Sequence, residues 1–228
     1  MIIAMTNKNN SSINKDDLRA TPELEDFAHK YTEEGQGKVG AKLLDNYFIS
    51  VKQLIDDTRI NEKKSSTAIE IGCGEGFSTE RLRLMLPKSV ELSASEYVAN
   101  LVPKAQKRNP KVKIIEESVY ETTHQNNTYD LVFLLEVLEH LDYPDKALAE
   151  LQRIIKPGGY LIVGVPREPI WRMLNMSRAK YLKDFGNTPG HLYHWSSRGL
   201  KTIVESNFGT VIKTSKPLPW TQVLAQKK

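Results

Sequence analysis

Ala68-Ile69-Glu70-Ile71-Gly72-Cys73-Gly74-Glu75-Gly76 runs an apolar segment straight into three alternating glycines. A chain that turns sharply from strand to helix needs backbone conformations free of Cβ hindrance. Glycine also lets a ligand lie against the main chain. The same pattern, taken alone, also serves as a tight structural turn. On either side the sequence has the right neighbours, with Thr67–Ile71 reading as a strand and Ser78–Leu86 as a helix. Ser78 is the expected N-cap and Pro87 the stop signal.

Downstream, strand and helix patterns alternate. Val90–Ser95 reads as a second strand, Val98–Arg108 as a helix and Val112–Glu116 as a third strand. Tyr129–Leu135 is apolar on both faces, as a central parallel strand must be when helices cover both sides. Pro144–Lys156 places Ala147, Leu148, Leu151, Ile154 and Ile155 on one helical face and ends at Pro157-Gly158-Gly159. Tyr160–Val165, Thr210–Thr214 and a short Val223-Leu224 complete seven strands, with a helix over Ser197–Asn207. Upstream, Glu23 to Asp57 predicts a short helix, a hinge at Gly35, Gly37 and Gly40, and a longer helix through Leu43, Leu44, Tyr47, Phe48, Val51, Leu54 and Ile55. The expected fold is α/β: a Rossmann-like, doubly wound, mostly parallel seven-stranded sheet with helices on both faces. N-terminal helices precede it, and a substrate-side insertion follows strand five.

A chain of 228 residues with 39% hydrophobic and 26% charged residues can bury a substantial core without staples. The single cysteine, Cys73, and the lack of a secretory pattern near the N-terminus fit a reducing cytoplasm. The longest apolar runs, Leu131–Leu135 and Leu161–Val165, fall far short of the roughly 20 residues of a membrane span. A formal charge of +4, from 32 basic and 28 acidic residues, is too mild to imply a nucleic-acid partner.

Glu96 lies 20 residues past Gly76 at the end of the second strand, where a Rossmann-type arrangement places an acid against ribose hydroxyls. Its alternative is an exposed strand-end carboxylate. With the glycine turn, Glu96, Tyr129-Asp130-Leu131-Val132, Glu136-Val137-Leu138-Glu139-His140-Leu141 and Lys156-Pro157-Gly158-Gly159, the chain resembles the class I S-adenosylmethionine (SAM)-dependent methyltransferases. The match covers Thr67–Val165, and beyond it Pro166-Arg167-Glu168-Pro169 and Gly186–Trp195 resemble a subgroup of type 11/12 methyltransferase domains associated with small molecules. A dehydrogenase is disfavoured, because a pyrophosphate wants amide donors at a helix N-terminus, whereas Glu70 suits the ammonium of SAM.

The resemblance implies SAM as cofactor and S-adenosylhomocysteine as product. It implies that Gly72, Cys73, Gly74 and Gly76 wrap the methionine moiety beside Glu70, that Glu96 holds the ribose, and that Tyr97 lies against the adenine. Ser118 and Val119 fall where the family has an acid and its neighbour at the adenine amino group, and Glu117 supplies that acid after a one-residue shift. Glu136 is placed in the same pocket. Residues 1-22 are expected to be disordered and 23-228 to form one methyltransferase domain. Within it, 23-62 is a helical cap, 67-165 the SAM-binding core, 166-196 a substrate lid and 197-228 the last part of the sheet.

Ligands of open α/β sheets bind at the carboxyl ends of the strands, which selects Glu136, Glu139, His140 and the segment after Val165 as the acceptor side. His140, His191 and His194 are the candidate bases or orienting groups, with structural bracing as the alternative role. Pro166–Ser196 is too long for an ordinary connection. Its Arg167, Trp171, Arg172 and Tyr193 are the candidate substrate contacts. No metal is expected, because His191 and His194 supply only part of a ligand set and no cysteine stands near them. The partner so implied is a small-molecule acceptor methylated at a hydroxyl oxygen. An RNA or protein methyltransferase and a non-catalytic SAM-binding partner are the alternatives, and the oligomeric state is not indicated. The Asn-Pro-Pro-Tyr type signature of amino-methylating nucleic-acid enzymes is absent where Leu135-Glu136-Val137-Leu138 stands.

Overall fold

The computed structural model describes residues 18–19 and 33–228. One sheet organises it, in the order β3-β2-β1-β4-β5-β7-β6. Its strands are β1 (Ser66–Ile71), β2 (Val90–Glu96), β3 (Lys113–Glu116), β4 (Tyr129–Leu135), β5 (Ile155–Pro166), β6 (Thr210–Ser215) and β7 (Trp220–Gln226). The first five pair in parallel, while β7 runs antiparallel between β5 and β6. The order reverses between β1 and β4, the kind of switch point at whose carboxyl strand ends open α/β sheets bind ligands.

Alternation along the strands sorts side chains into two cores. Leu131, Phe133 and Leu135 of β4 and Ile162 of β5 join α1 (Glu33–Asp56), α2 (Phe77–Met85) and α3 (Val102–Arg108) through Tyr47, Phe48, Leu82 and Ala105. Val132, Leu134, Leu161 and Val163 face the other way, onto Leu148 and Leu151 of α4 (Pro144–Ile154) and Leu200 and Val204 of α6 (Ser197–Asn207). All seven residues of β4 are buried, as expected for a strand covered on both sides.

Several boundaries differ from the sequence expectation. Gly76, in the left-handed region at φ 82°, is the N-cap of α2, and Ser78 lies buried inside the first turn. The helix after β2 starts at Val102 rather than Val98, with Pro103 in its first turn. The helix before β5 ends at Ile154, and Lys156-Pro157-Gly158-Gly159 forms an irregularity within β5, whose register on β4 jumps from Tyr129↔Ile155 to Leu131↔Tyr160. β7 has seven residues rather than two. Of the expected N-terminal breaks, Gly37 alone has a non-helical conformation within α1, and Gly40 continues the helix. The expected disordered stretch and short first helix lie outside the described residues, except for Leu18 and Arg19. The Arg19 backbone N–H and Nε donate to Asp142 at 3.1 and 2.9 Å.

At the amino-terminal end of the sheet, Asp130 accepts from Lys63 Nζ at 2.6 Å, Lys156 Nζ at 2.7 Å and the Thr67 N–H at 3.0 Å. Burial alone would raise its pKa, but the two ammonium groups and the amide hold the carboxyl down to about 2. A native pKa below the unfolded value of about 3.9 contributes stability above that value, and the contribution is lost as pH falls toward 2. Asp130→Asn is expected to cost about 1–2 kcal/mol at pH 7, discounted because both lysines are half exposed. Urea melts of the two proteins should converge as pH falls to about 2 and below.

Candidate functional site

The chain leaves β1 through Gly72, Gly74 and Gly76, all at positive φ (77°, 55° and 82°), as a strand-to-helix turn this tight requires. The three have different neighbours. A Cβ on Gly72 would meet Val137 Cγ2 at 2.5 Å, and one on Gly76 would meet Asn109 Nδ2 at 2.4 Å, so both positions are closed by packing. A Cβ on Gly74 would meet nothing within 4 Å, so this glycine faces open space, where a ligand can reach the backbone. Asn109 Nδ2 donates to the Gly76 carbonyl at 2.9 Å and steadies the loop. The Gly72 and Cys73 N–H groups are spent on the Ser95 carbonyl at 2.9 and 3.0 Å. Burial pushes the Cys73 thiol far up, which leaves it protonated and without nucleophilic character.

Glu70 is fully buried at the end of β1, and its Oε2 accepts from Thr79 Oγ1 of α2 at 2.5 Å. Burial raises its pKa to about 7 against the opposing Ser78 and Thr79 hydroxyls, and the Glu96 charge adds to the rise. The folded protein therefore binds this proton more tightly than the unfolded chain, whose Glu pKa is about 4.3. Its contribution to stability is complete below that value and declines as pH rises to 7. Glu70→Gln is expected to match the wild type near pH 4 and to exceed it at pH 8 by on the order of 2 kcal/mol in the unliganded protein. Thermal melts at the two pH values measure this.

Glu96 ends β2 almost fully buried. Its Oε2 accepts from the Gly74 N–H at 2.7 Å and its Oε1 from the Val98 N–H at 2.9 Å. Burial raises its pKa, and the amides of Val98, Gly74 and Tyr97 oppose the rise. The expected ribose acid is thus also the strut of the glycine loop, and Tyr97 is half-buried beside it. After β3, Ser118 is half-buried, its Oγ accepting from the Tyr120 N–H at 3.3 Å, and Val119 is buried. Glu117 does not replace the missing acid, because its carboxylate is held by Thr123 at 3.1 Å and His124 Nε2 at 2.9 Å. Burial would raise its pKa, but these partners hold it below the usual carboxylate range.

At the end of β4 the chain turns through Glu136, which adopts a left-handed φ of 58° and donates its N–H to the Gly164 carbonyl at 2.8 Å. A 3-10 turn, Leu138–His140, follows. The insertion returns to it from the far side: the Leu192 and Tyr193 N–H groups donate to the Glu139 carbonyl at 2.8 and 3.1 Å. His140 Nδ1 lies 3.0 Å from the Gly190 carbonyl and donates to it. These bonds bring His191 against His140, ring centroids 4.9 Å apart and nearly perpendicular at 87°.

The three candidate histidines therefore separate. His140 and His191 are buried together, whereas His194 lies in an exposed position with Nδ1 3.7 Å from Glu168 Oε1. Arg172 Nε approaches the same Glu168 at 3.4 Å. Trp171, on α5 (Ile170–Ser177), donates its indole N–H to Thr188 Oγ1 at 2.9 Å and lies 6.2 Å from the His191 ring and 5.8 Å from Trp220. Tyr193 stacks on Trp195 at 5.2 Å and donates its hydroxyl to the Asp142 carbonyl at 3.3 Å, while the half-buried Arg167 ties its N–H to the Pro219 carbonyl at 2.9 Å. Of the four candidate substrate residues, Trp171 packs against a histidine of the buried pair. Thr79 and Asn109, which hold Glu70 and Gly76, had no sequence signal, because neither belongs to a motif.

A strand-to-helix glycine turn with open space at Gly74, an acid bridging it from β2, and the β1/β4 switch point beside them are the features of a class I SAM-dependent methyltransferase domain. SAM fits these residues because its zwitterionic end needs exposed main chain and its ribose an acceptor such as Glu96. Residues 69–163 match the methyltransferase-domain family, so this part of the chain is a SAM-dependent methyltransferase domain. An uncharacterized methyltransferase of Schizosaccharomyces pombe is 32% identical over 43% of this chain and 39% of its own length. A mitochondrial ubiquinone biosynthesis O-methyltransferase of Dictyostelium discoideum is 29% identical over 69% of this chain and 57% of its own. The chain thus spans less than two thirds of these relatives. The fold is shared with a solved SAM-dependent methyltransferase from Aquifex aeolicus, at TM-score 0.59 and 20% identity over 79% of this chain and 98% of that one. Among the described residues, no helix is long and apolar enough to cross a membrane.

Proposed function

We propose that this protein transfers a methyl group from SAM to a hydroxyl oxygen of a small-molecule acceptor in the cytoplasm. In this reading residues 23–228 act as one domain and 166–196 as its acceptor lid. The observation that carries it is the buried His140–His191 pair under Trp171, at the carboxyl end of β4, on the same edge of the sheet as the glycine loop. SAM supplies an electrophilic methyl group on a sulfonium. The chain's own residues do the rest. Gly72, Gly74, Gly76 and Glu96 fix the methyl donor, and Tyr97, Ser118, Val119 and Glu136 complete its pocket. His140 and His191 orient and activate the acceptor hydroxyl, which needs help because it is poorly acidic. Trp171, Arg167, Arg172 and Tyr193 belong to the cover that keeps water out. The relatives whose names specify an oxygen acceptor support this reading, among them the ubiquinone-pathway enzyme and a malonyl-[acyl-carrier protein] O-methyltransferase of Halalkalibacterium halodurans.

Incubating the purified protein with methyl-labelled SAM and fractionated extract tests it. Label is expected in the low-mass fraction, as a methyl ether. Label in RNA or protein would replace the acceptor class, and no turnover by a protein that binds SAM would make it a non-catalytic partner.

A further inference from the structure

We propose that Glu139, His140 and His191 form a binding site for a divalent transition ion of the zinc type, which activates the acceptor hydroxyl. The proposal rests on the oxygen-acceptor reading above and replaces proton abstraction by a histidine. One ligand atom from each of the three residues lies within 4.8 Å of the others, and all three residues are buried, at 1%, 8% and 6% exposure. Ligand atoms around an ion with bonds of about 2.1 Å stand roughly 3.4 Å apart in a tetrahedron, so side-chain shifts on the order of 1 Å complete the geometry. His140 Nε2 and Glu139 Oε1 are already 3.9 Å apart.

The second interaction of His140 fixes which nitrogen serves. Nδ1 carries the proton donated to the Gly190 carbonyl at 3.0 Å, so the lone pair resides on Nε2, the atom nearest Glu139. Backbone carbonyls orient metal-binding imidazoles in this way. The perpendicular His140 and His191 rings allow both to aim at one point without stacking. Two imidazoles and one carboxylate make a three-ligand set, which leaves one coordination position for a substrate oxygen. The set also lies at the carboxyl end of β4, with Trp171 against His191.

An ion at this position lowers the pKa of a hydroxyl that reaches it, as it does for water. The hydroxyl proton leaves to solvent. An oxygen lone pair then forms the bond to the methyl carbon, the carbon–sulfur bond breaks, and its electron pair goes to sulfur, giving S-adenosylhomocysteine. The acceptor class is therefore an alcohol or phenol whose neutral oxygen is too weak a nucleophile unaided.

The test uses the metal alone. Chelator-treated protein titrated with Co²⁺ is expected to bind one equivalent with a Kd of about 10 µM or tighter and to show the intense visible bands of four-coordinate cobalt. His191→Asn and Glu139→Gln should each weaken binding by about 30-fold or more, while SAM affinity by calorimetry stays within about threefold. His124→Gln, in the separate pair with Glu117, should bind Co²⁺ as the wild type does. X-ray absorption of the zinc-loaded wild type should show two imidazoles, a readout that survives if a variant fails to fold. The proposal is overturned if the wild type binds no Co²⁺ at about 100 µM, if both site variants bind normally, or if absorption shows no imidazole. Intact SAM binding alongside such a failure would leave the methyltransferase reading standing, whereas loss of both would remove the two together.

Discussion

Gly74→Leu is expected to yield a folded protein whose affinity for SAM is at least about 100-fold lower, or roughly 2.7 kcal/mol. The new Cβ meets nothing within 4 Å, so packing does not oppose it, and the left-handed φ of 55° costs a non-glycine residue only about 1–2 kcal/mol. The side chain then occupies the space over the main chain that the methionine end of SAM requires. Gly76→Leu should behave in the opposite way. Its Cβ would stand 2.4 Å from Asn109 Nδ2 and 3.1 Å from the Ala105 backbone, so the Asn109–Gly76 hydrogen bond breaks and α3 must move. That substitution is expected to cost about 3 kcal/mol of stability before any ligand is considered. Isothermal calorimetry with SAM and thermal melts of both variants separate the two effects. Equal SAM affinity in folded Gly74→Leu and wild type would show that the open side of the loop is not the cofactor side.

Glu96→Ala should weaken SAM binding by roughly 10- to 100-fold, because one carboxylate serves two purposes. It accepts the Gly74 N–H at 2.7 Å and the Val98 N–H at 2.9 Å, so it holds the glycine loop against the end of β2. Its remaining lone pairs are available to ribose hydroxyls. The alanine variant loses both the strut and the ribose contact. Glu96→Gln keeps one acceptor oxygen and should recover part of the affinity, with the Gly74 N–H the bond most readily retained. If the glutamine and alanine variants both bind SAM like the wild type, the ribose lies elsewhere.

Much of this architecture was legible because it is encoded locally. The central position of β4 followed from seven consecutive residues without a solvent face, and the α4 face from the spacing of Ala147, Leu148, Leu151 and Ile154. The seventh strand was not legible beyond Val223-Leu224. Thr221 and Gln222 are fully buried polar residues, which break the apolar pattern by which a sequence announces a strand. Partners distant in sequence make their burial tolerable: Thr221 Oγ1 is 2.8 Å from Ser197 Oγ, and Gln222 Nε2 donates to the Tyr47 carbonyl at 3.1 Å. Ser78 was misread as a cap for a related reason. A serine next to a helix start looks alike whether it faces solvent or a buried carboxylate.

For the site, the division falls between main-chain chemistry and side-chain convergence. The amino-acid sequence by itself determined the glycine turn after β1, the acid at the end of β2 and the Glu-x-x-Glu-His stretch after β4. Each depends on residues adjacent in the chain and on a strand-to-helix geometry that only certain residues permit. It left His191 and His194 equivalent, three residues apart on a segment without regular structure. The tertiary structure alone separated them. The Glu139 carbonyl captures the Leu192 and Tyr193 N–H groups, and the Gly190 carbonyl captures His140 Nδ1. His191 is thereby turned inward beside Glu139 and His140, and His194 outward to Glu168. Such a choice is made by hydrogen bonds spanning about 50 residues of chain, and no periodicity or spacing along the sequence carries it.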